Sequence, residues 1–452
     1  MNFGYFIEFN KTKITKLNLV DPNVKVFKTN KFIFIIDGYI KDQNDNIPNL
    51  SKIFKQITSY YKIKSFLKNY RGAYSLICYS SDNNQIFIGR DYDGSKQIYY
   101  NSEKDKLVIS NHPKNLFGNN CEINNKICEK YLTYRYNYTY GEEETFIKNI
   151  KNVESATIIS FKNFKKINSE LYLNLSLSKT GKKKYNYLYY KNEIPLILKK
   201  NFLRDKNRYR NTIIGLSGGL DSTSVAAVLG NSGIRLDAYT AFYNTKNKTN
   251  LNESNKAETV AKKFCKRWYK IKITSDEFLN YWKKCYKIFD FPVCTSSFLG
   301  YLILYNKVGK LGYKKTINAG NSDLFFYGNY PCYLYNLLDL YFKDKKTFSK
   351  ELKFWIKNHS TKQFPKNLTT FLNFKKIVNY KNYKKFKSIK PNQEMLKSIY
   401  LKKKKNTKIY TFKYKNDFIG ATYLEAYAKF AIWMVEKQPN ILPFDEIEKF
   451  TK

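Results

Sequence analysis

The chain has 452 residues, 43% of them hydrophobic and 17% aromatic. This excludes a disordered chain and leaves room for two or three domains at roughly 150 residues each. The formal net charge of +44 reads either as an acidic partner such as nucleic acid or as a biased codon pool. Lys, Asn, Ile, Tyr and Phe are abundant together and lysine is spread along the whole chain, so the second reading is preferred and a nucleic-acid partner is not favoured.

The N-terminus, Met1-Asn2-Phe3-Gly4-Tyr5-Phe6-Ile7-Glu8, has neither a basic leader nor a long apolar core, and the chain reads as cytoplasmic. The first third is strand-rich. Phe32 to Ile36 predicts a strand running into Asp37-Gly38, a hairpin-type turn. Leu50 to Lys62 predicts a helix. Tyr74 to Tyr79 and Gln85 to Gly89 predict strands flanking the turn Ser80 to Asn84. Tyr99-Tyr100 and Leu107 to Ile109 flank another turn, Asn125 to Thr133 predicts a helix, and Ala156 to Phe161 a strand. The polar stretch Ser176 to Tyr185 reads as a linker, which divides the chain into domains at 1–178 and 186–452.

The second part alternates. A helix is predicted from Tyr187 to Asn201, then strand Thr212 to Leu216, a glycine turn and a helix to Leu229. Strand Leu236 to Phe242, helix Glu253 to Trp268, strand Lys270 to Ile273 and helix Asp276 to Ile288 follow. Helix Ser296 to Val308 and strand Lys315 to Ala319 close the series. Strands alternating with helices argue for a doubly wound parallel sheet, whose ligands sit at the carboxyl ends of the strands.

Two turns lie at such ends. The first is Leu216-Ser217-Gly218-Gly219-Leu220-Asp221-Ser222. Gly218 and Gly219 remove the side chains that would keep a phosphate from the backbone N–H groups. Ser217 and Ser222 can add hydroxyl donors, and the helix that follows supplies positive dipole. Asp221 would repel a phosphate unless a cation lay between them, so it reads as a Mg²⁺ ligand. The turn lacks the lysine of a Walker loop and the three spaced glycines of a dinucleotide loop. Read without its neighbours it is also compatible with an ordinary strand–helix turn.

The second turn is Ala319-Gly320-Asn321-Ser322-Asp323. Alone, Asp323 reads as a helix N-cap. Coupled to the first turn, it reads as a second carboxylate sharing Mg²⁺ at one pyrophosphate. Gly320 and Ser322 would line the same site. The seven cysteines form no Cys-x-x-Cys pair, which argues against a disulfide scaffold and a structural zinc site. The two histidines, His112 and His359, leave little for histidine-based chemistry.

The first turn resembles the PP-loop of ATP pyrophosphatases, and the order of elements resembles class B asparagine synthetases, β-lactam synthetases and lasso-peptide cyclases. Gly89-Arg90-Asp91-Tyr92-Asp93-Gly94-Ser95-Lys96-Gln97-Ile98-Tyr99-Tyr100 is similar to the family's Arg-Asp-x-x-Gly-x-Lys-Pro-Leu-Tyr-Tyr hairpin. Asn252-Glu253-Ser254 through Ala261 and Asn321-Ser322-Asp323 resemble its next helix and second acidic motif. The resemblance covers most of residues 1–335, with a faint echo at Leu442 to Asp445. It implies an α/β protein: an N-terminal-nucleophile-type αββα sandwich of class II glutamine amidotransferase kind, then a doubly wound parallel-sheet PP-loop domain like the adenine nucleotide alpha hydrolases.

The departures carry as much information. Asn2 stands where the family's glutaminases have their N-terminal cysteine nucleophile. Asp37 and Tyr39 replace Asn and Glu, and Ala73 replaces an acidic residue. In the second acidic motif, Gly320 and Leu324 replace the two glutamates of asparagine-forming members. The resemblance therefore implies an ATP-dependent ligase that adenylates a carboxylate, releases pyrophosphate and forms an amide, without glutaminase activity of its own. ATP and Mg²⁺ would be its cofactors. Asp221 and Asp323 would be the catalytic and metal residues. Leu216, Ser217, Gly218, Gly219, Asp221, Ser222, Gly320 and Ser322 would bind ATP and pyrophosphate, and the strand Thr240 to Phe242 would touch the nucleoside. The partners would be a carboxylate-bearing small molecule or peptide and an amine or ammonia donor. The alternatives are an asparagine synthetase-type enzyme using free ammonia, a basic RNA-modifying PP-loop enzyme, and a non-catalytic scaffold.

Overall fold

A computed structural model describes residues 4–10, 13–19, 24–44, 46–80, 82–92, 94–103, 105–117, 121–134, 143–173, 187–203, 209–243, 254–288, 291–292, 297–319, 330–360 and 366–377. Asn2, Gly320, Ser322, Asp323 and Leu442 to Asp445 lie outside these residues, as does the linker stretch from Ser176 to Tyr185.

The first half folds as two antiparallel sheets laid face to face. One has the order β2-β1-β8-β7-β9: β1 is Tyr5–Asn10, β2 Lys13–Leu19, β7 Tyr99–Glu103, β8 Lys106–Ser110 and β9 Lys151–Asn152. The other has the order β11-β10-β6-β5-β4-β3: β3 is Val24–Lys28, β4 Ile33–Lys41, β5 Arg71–Ser80, β6 Gln85–Arg90, β10 Thr157–Lys162 and β11 Lys165–Leu171. Strict alternation puts Tyr5, Ile7 and Phe9 of β1 between the sheets, opposite Ile35, Ile77 and Ile88. The outer face of the second sheet is covered by α1 (Leu50–Lys55) and α2 (Tyr60–Asn69), with Phe54, Phe66 and Leu67 packed on Phe34, Ile36 and Leu76. The outer face of the first sheet carries the short turn Pro113–Leu116 and α3 (Asn125–Tyr134). This is the expected αββα sandwich.

The Asp37-Gly38 expectation needs correcting. The chain does not turn there; β4 continues to Lys41 and pairs with β5 throughout, Gly38 opposite Tyr74. Gly38 has φ +112°, and a Cβ on it would lie 2.0 Å from the Ala73 carbonyl oxygen. The glycine kinks a continuous strand instead of ending it. The single helix expected over 50–62 is two helices, because Ser59 is extended (φ −154°, ψ 163°) and starts α2 afresh.

The second half holds a parallel sheet of order β14-β13-β12-β15. β12 is Thr212–Gly215, β13 Asp237–Tyr243, β14 Trp268–Ile273 and β15 Lys315–Ile317. Helix α4 (Tyr187–Leu203) leads in. On one face lie α5 (Leu220–Asn231) and α6 (Ser254–Phe264), packed through Ala226, Leu229, Ala257 and Ala261. On the other lies α8 (Ser297–Lys310), whose Ile303, Leu304, Tyr305 and Val308 cover Ile213, Tyr239 and Ile271, with α7 (Ser275–Ile288) beside it. The helix expected to reach Trp268 ends at Phe264, because Trp268 already pairs with Ala238 in the sheet. Three further helices, Tyr330–Lys343, Lys345–His359 and Leu368–Ile377, bury Leu337, Trp355 and Phe371 among themselves. Among the described residues, no helix is long and apolar enough to cross a membrane.

The amino ends of these strands are tied by Asp237, which accepts bonds from Arg267 at 2.7 Å and from the Tyr313 hydroxyl. Desolvation raises the Asp237 carboxyl, but the bonds from Arg267 and Tyr313 outweigh it and hold the group below the ordinary carboxylate value. A carboxyl with a depressed folded-state pKa stabilises the fold above its unfolded value of about 3.9 and loses that contribution as pH falls through the folded value. We therefore expect the urea midpoint of the wild type to fall between pH 5 and pH 3 by more than that of Asp237→Asn. Equal falls in the two proteins would remove Asp237 as a source of acid lability.

Candidate nucleotide site

The site is built where the strand order reverses. β12 and β15 are neighbours in register, Thr212 with Lys315 and Ile214 with Ile317. They are not consecutive in the chain, and α5, which leaves β12, and α8, which leads into β15, lie on opposite faces of the sheet, the arrangement that leaves a crevice at the carboxyl ends of two neighbouring strands. The first turn, 216–219, starts from β12. The second turn starts from β15, after Asn318. Adjacent strands are about 4.8 Å apart, so the chain leaves β12 at Leu216 and β15 at Asn318 side by side.

Local bonds fix the first turn. The Leu216 amide donates to the Tyr239 carbonyl at 2.8 Å, and the Thr240 hydroxyl donates to the Leu216 carbonyl at 2.6 Å. Thr240 in turn accepts from the Trp268 indole at 2.9 Å. Leu216 is buried, and Thr240 lies directly beside it. The two predicted nucleoside contacts thus occupy one place on the sheet edge. Gly218 has φ +78°, a left-handed conformation, and a Cβ there would lie 2.8 Å from the Ala257 amide nitrogen. Only glycine lets the turn sit this close to the start of α6.

Ser217 and Ser222 close the turn. Their hydroxyl oxygens are 3.0 Å apart, the Gly219 amide donates to Ser217 Oγ at 3.2 Å, and the Ser217 amide donates to Ser222 Oγ at 3.2 Å. Gly219 is the N-cap of α5 and supplies no side-chain cap. The first helical hydrogen bond is Thr223 amide to Gly219 carbonyl at 3.1 Å. A helix N-terminus with no side-chain cap, beside two hydroxyls and a glycine turn, is a concave array of donors suited to a polyphosphate. Asp221 stands in the first turn of α5, half-buried. Among the described residues no group of three His, Cys, Asp or Glu gathers around a metal position. The expected partner Asp323 and the lining residues Gly320 and Ser322 are among those not described.

A second polar cluster lies in the first half. Asp37 is 1% exposed; its carboxylate accepts from Lys96 Nζ at 2.8 Å and from Asn111 Nδ2 at 2.9 Å. Asn111 Oδ1 accepts the Tyr5 amide at 2.9 Å, which brings the start of the chain onto this cluster. Burial, with Asp37 nearby, pushes the Tyr5 phenol far above its ordinary value. Fully buried Arg90 bonds the carbonyls of Lys96, Gly94 and Val153, each at 2.6 Å. Asp91 accepts the amides of Ser95 and Lys96 at 2.8 and 2.9 Å. The Arg-Asp hairpin motif is therefore scaffolding: its two charged groups hold the loop that aims Lys96 at Asp37. The sequence shows Asp37 as a replacement, but gives no sign that Lys96 and Asn111 pair with it.

The family comparisons match both halves. Residues 57–172 match the glutamine amidotransferase domain, and residues 212–428 match asparagine synthase. The chain belongs to an asparagine synthetase-like family. The second matched domain is of PP-loop type. Two solved structures are similar at low level. One is an allosteric regulatory enzyme of purine biosynthesis, with 10% identity and a TM-score of 0.23, covering 55% of this chain and 62% of that one. The other is the glutamine phosphoribosylpyrophosphate amidotransferase of B. subtilis, with 12% identity and a TM-score of 0.22, covering 48% and 47%. The likeness thus spans less than two thirds of either relative. A search of curated proteins finds no match.

Proposed function

We propose that this asparagine synthetase-like chain is an AMP-forming amide ligase with no glutaminase chemistry of its own. A substrate carboxylate oxygen attacks the α-phosphorus of ATP, pyrophosphate leaves, and an amine displaces AMP from the acyl carbon to give the amide. Ser217, Ser222 and the first amides of α5 would hold the departing pyrophosphate, with Gly218 keeping the cradle open. Asp221, with Asp323, would hold Mg²⁺, which when bound offsets the charge on the phosphates. Leu216 and Thr240 would border the nucleoside. The observation that carries the reading is the glycine turn at the strand-reversal crevice, with an α5 N-terminus that has no side-chain cap.

The silence of the first half is supported by Asp37. Amide hydrolysis builds negative charge on the carbonyl oxygen. A carboxamide at position 37 could donate a hydrogen bond toward such an oxygen; a carboxylate cannot. Together with Asn2 at the nucleophile position, this leaves glutamine with neither attack nor stabilisation. The amine would therefore come from ammonia, the substrate or a partner.

Calorimetry with Mg-ATP tests the nucleotide assignment. We expect Asp221→Ala to weaken binding about tenfold to a hundredfold, the worth of about 1.5–3 kcal/mol for an interaction with a charged group. Unchanged affinity would sink the role of Asp221, and release of glutamate from glutamine by the wild type would sink the claim of a silent first half. The charge of +44 keeps an RNA substrate as the second reading. Against it, burial raises the Cys78 thiol and pushes the Cys265 thiol to about 11, so neither is a ready sulfur nucleophile. RNA binding that falls steeply with salt would favour that reading.

A further inference from the structure

The two halves meet at Phe291. It lies three residues beyond α7 and six before α8, yet its ring packs on the outer face of the first antiparallel sheet. The ring centroid is 6.0 Å from that of Tyr99, with planes at 76°, and 5.6 Å from that of Phe146, with planes at 40°. Phe291 joins both apolar clusters on this face: Tyr99, Val108, Leu116 and Ile150 in one, Ile127 and Phe146 in the other. A single aromatic shared between two clusters is a strong anchor, because its removal exposes both.

Helix α8, the next element after the anchor, begins at the synthetase site. The strands of the second sheet are parallel and α8 precedes β15, so α8 starts at their carboxyl ends. A Cβ built on Gly300, in the first turn of α8, would lie 3.4 Å from the hydroxyl of Tyr243, the last residue of β13. Tyr301 stands 6.0 Å, centroid to centroid, from Tyr305. The Tyr305 hydroxyl accepts a bond from Asn318 Nδ2 at 3.4 Å, and Asn318 precedes the second turn. Tyr243 and Tyr301 keep 39% and 40% of their surface exposed. Tyr243 and Tyr301 thus stand partly exposed at the carboxyl end of the sheet, on the face opposite α5, with Tyr305 buried beneath them. On the ligase reading the phosphates lie on the α5 side, which leaves Tyr243 and Tyr301 toward the acceptor.

We propose that Phe291 is a positioning residue: docked on the N-terminal half, it fixes the start of α8 and with it the Tyr243–Tyr301 wall of the acceptor side. The N-terminal half then serves the ligase as a structural abutment, which gives it a use without glutamine chemistry. The inference rests on the ligase reading for what the wall does, but not for where Phe291 docks.

Amide hydrogen exchange on the full chain tests it. In Phe291→Ala, exchange over residues 299–304 should rise about tenfold or more, while exchange over α5 stays within about twofold. Phe291→Met, which keeps an apolar side chain that can adapt to the site, should stay within about threefold of wild type over 299–304. Phe146→Leu, cutting the contact from the other side, should reproduce the local rise. Exchange over 299–304 that is unchanged in Phe291→Ala overturns the proposal. So does a rise that spreads equally to α5, since Phe291 would then be a general stabilising contact. Mg-ATP affinity should stay within about threefold in Phe291→Ala, because the phosphate side does not depend on the anchor. If the wild type itself does not bind Mg-ATP, the ligase reading fails while the exchange result still judges the anchor.

Discussion

Gly218→Ala is expected to abolish measurable Mg-ATP binding and to destabilise the second half by roughly 2–5 kcal/mol. Two costs combine. The first is conformational: φ is +78°, and an L-residue in the left-handed region costs about 1–2 kcal/mol. The second is steric. The new methyl would lie 2.8 Å from both the Ala257 amide nitrogen and the Lys256 Cβ. One neighbour is backbone at the start of α6, so relief requires moving the turn or the helix, and overpacking of this kind costs about 1–3 kcal/mol. Either movement breaks the geometry that sets Ser217 3.0 Å from Ser222. Gly219→Ala separates the two effects. Gly219 has φ −73°, and its Cβ would meet only Ser217 Oγ at 3.3 Å. That variant should fold with under about half the stability loss and still bind Mg-ATP more weakly, since alanine is a poor N-cap. Urea unfolding and calorimetry read the two quantities. A Gly218→Ala protein as stable as wild type and binding equally well would mean that the turn is not the cradle.

The nucleotide half is legible because its signals are local. The strand Thr212–Gly215, the glycine turn and α5 occupy one continuous stretch, and each has a pattern that physical chemistry reads directly: an apolar run, paired glycines, small residues on a helix. The switch-point placement is legible at one remove, since alternating strands and helices imply a parallel sheet. Boundaries shift where tertiary pairing wins. Trp268 reads as helical on its apolar spacing, but its indole bonds Thr240 and its backbone pairs with Ala238.

In the first half the losses are instructive. Tyr5, Ile7 and Phe9 alternate cleanly, so β1 is open to a periodicity argument, whereas β2, Lys-Ile-Thr-Lys-Leu-Asn-Leu, is an outer strand with Leu17 and Leu19 exposed and gives no burial signal. Asp37-Gly38 carries the composition of a tight turn, and nothing local says that the glycine bends a strand around the Ala73 carbonyl. Lys96 stands 59 residues from Asp37, and Phe291 is separated from Tyr99 by the later part of the first half, the linker and the strands β12, β13 and β14. Contacts of that range are set by topology, which one sequence read by periodicity does not contain.

Lys96→Met should be among the most damaging single changes in the first half, at about 3–5 kcal/mol, the cost of leaving one member of a buried ion pair alone. Asp37 is 1% exposed while the Lys96 side chain keeps 18%, so removing the lysine strands the carboxylate on the buried side. Asn111 Nδ2, at 2.9 Å, would still donate to it, but a neutral donor does not cancel the charge. The double variant Lys96→Met/Asp37→Asn removes the charge together with its partner. A carboxamide still accepts from Asn111, and methionine fills the space of the lysine stem, so the pair of changes should cost at least about 2 kcal/mol less than the two single effects added. The transition of this half, followed by urea unfolding with exchange read at β4 and β5, measures the cycle. Additive costs would show that Lys96 and Asp37 contribute independently and that the ion pair does not organise the cluster. A favourable coupling would instead show the Asp37–Lys96–Asn111 cluster to be a built structural element, held by charge at a position where the resemblance implies a neutral Asn. In neither outcome should Asp37→Asn restore glutamine hydrolysis, because Asn2 still supplies no nucleophile.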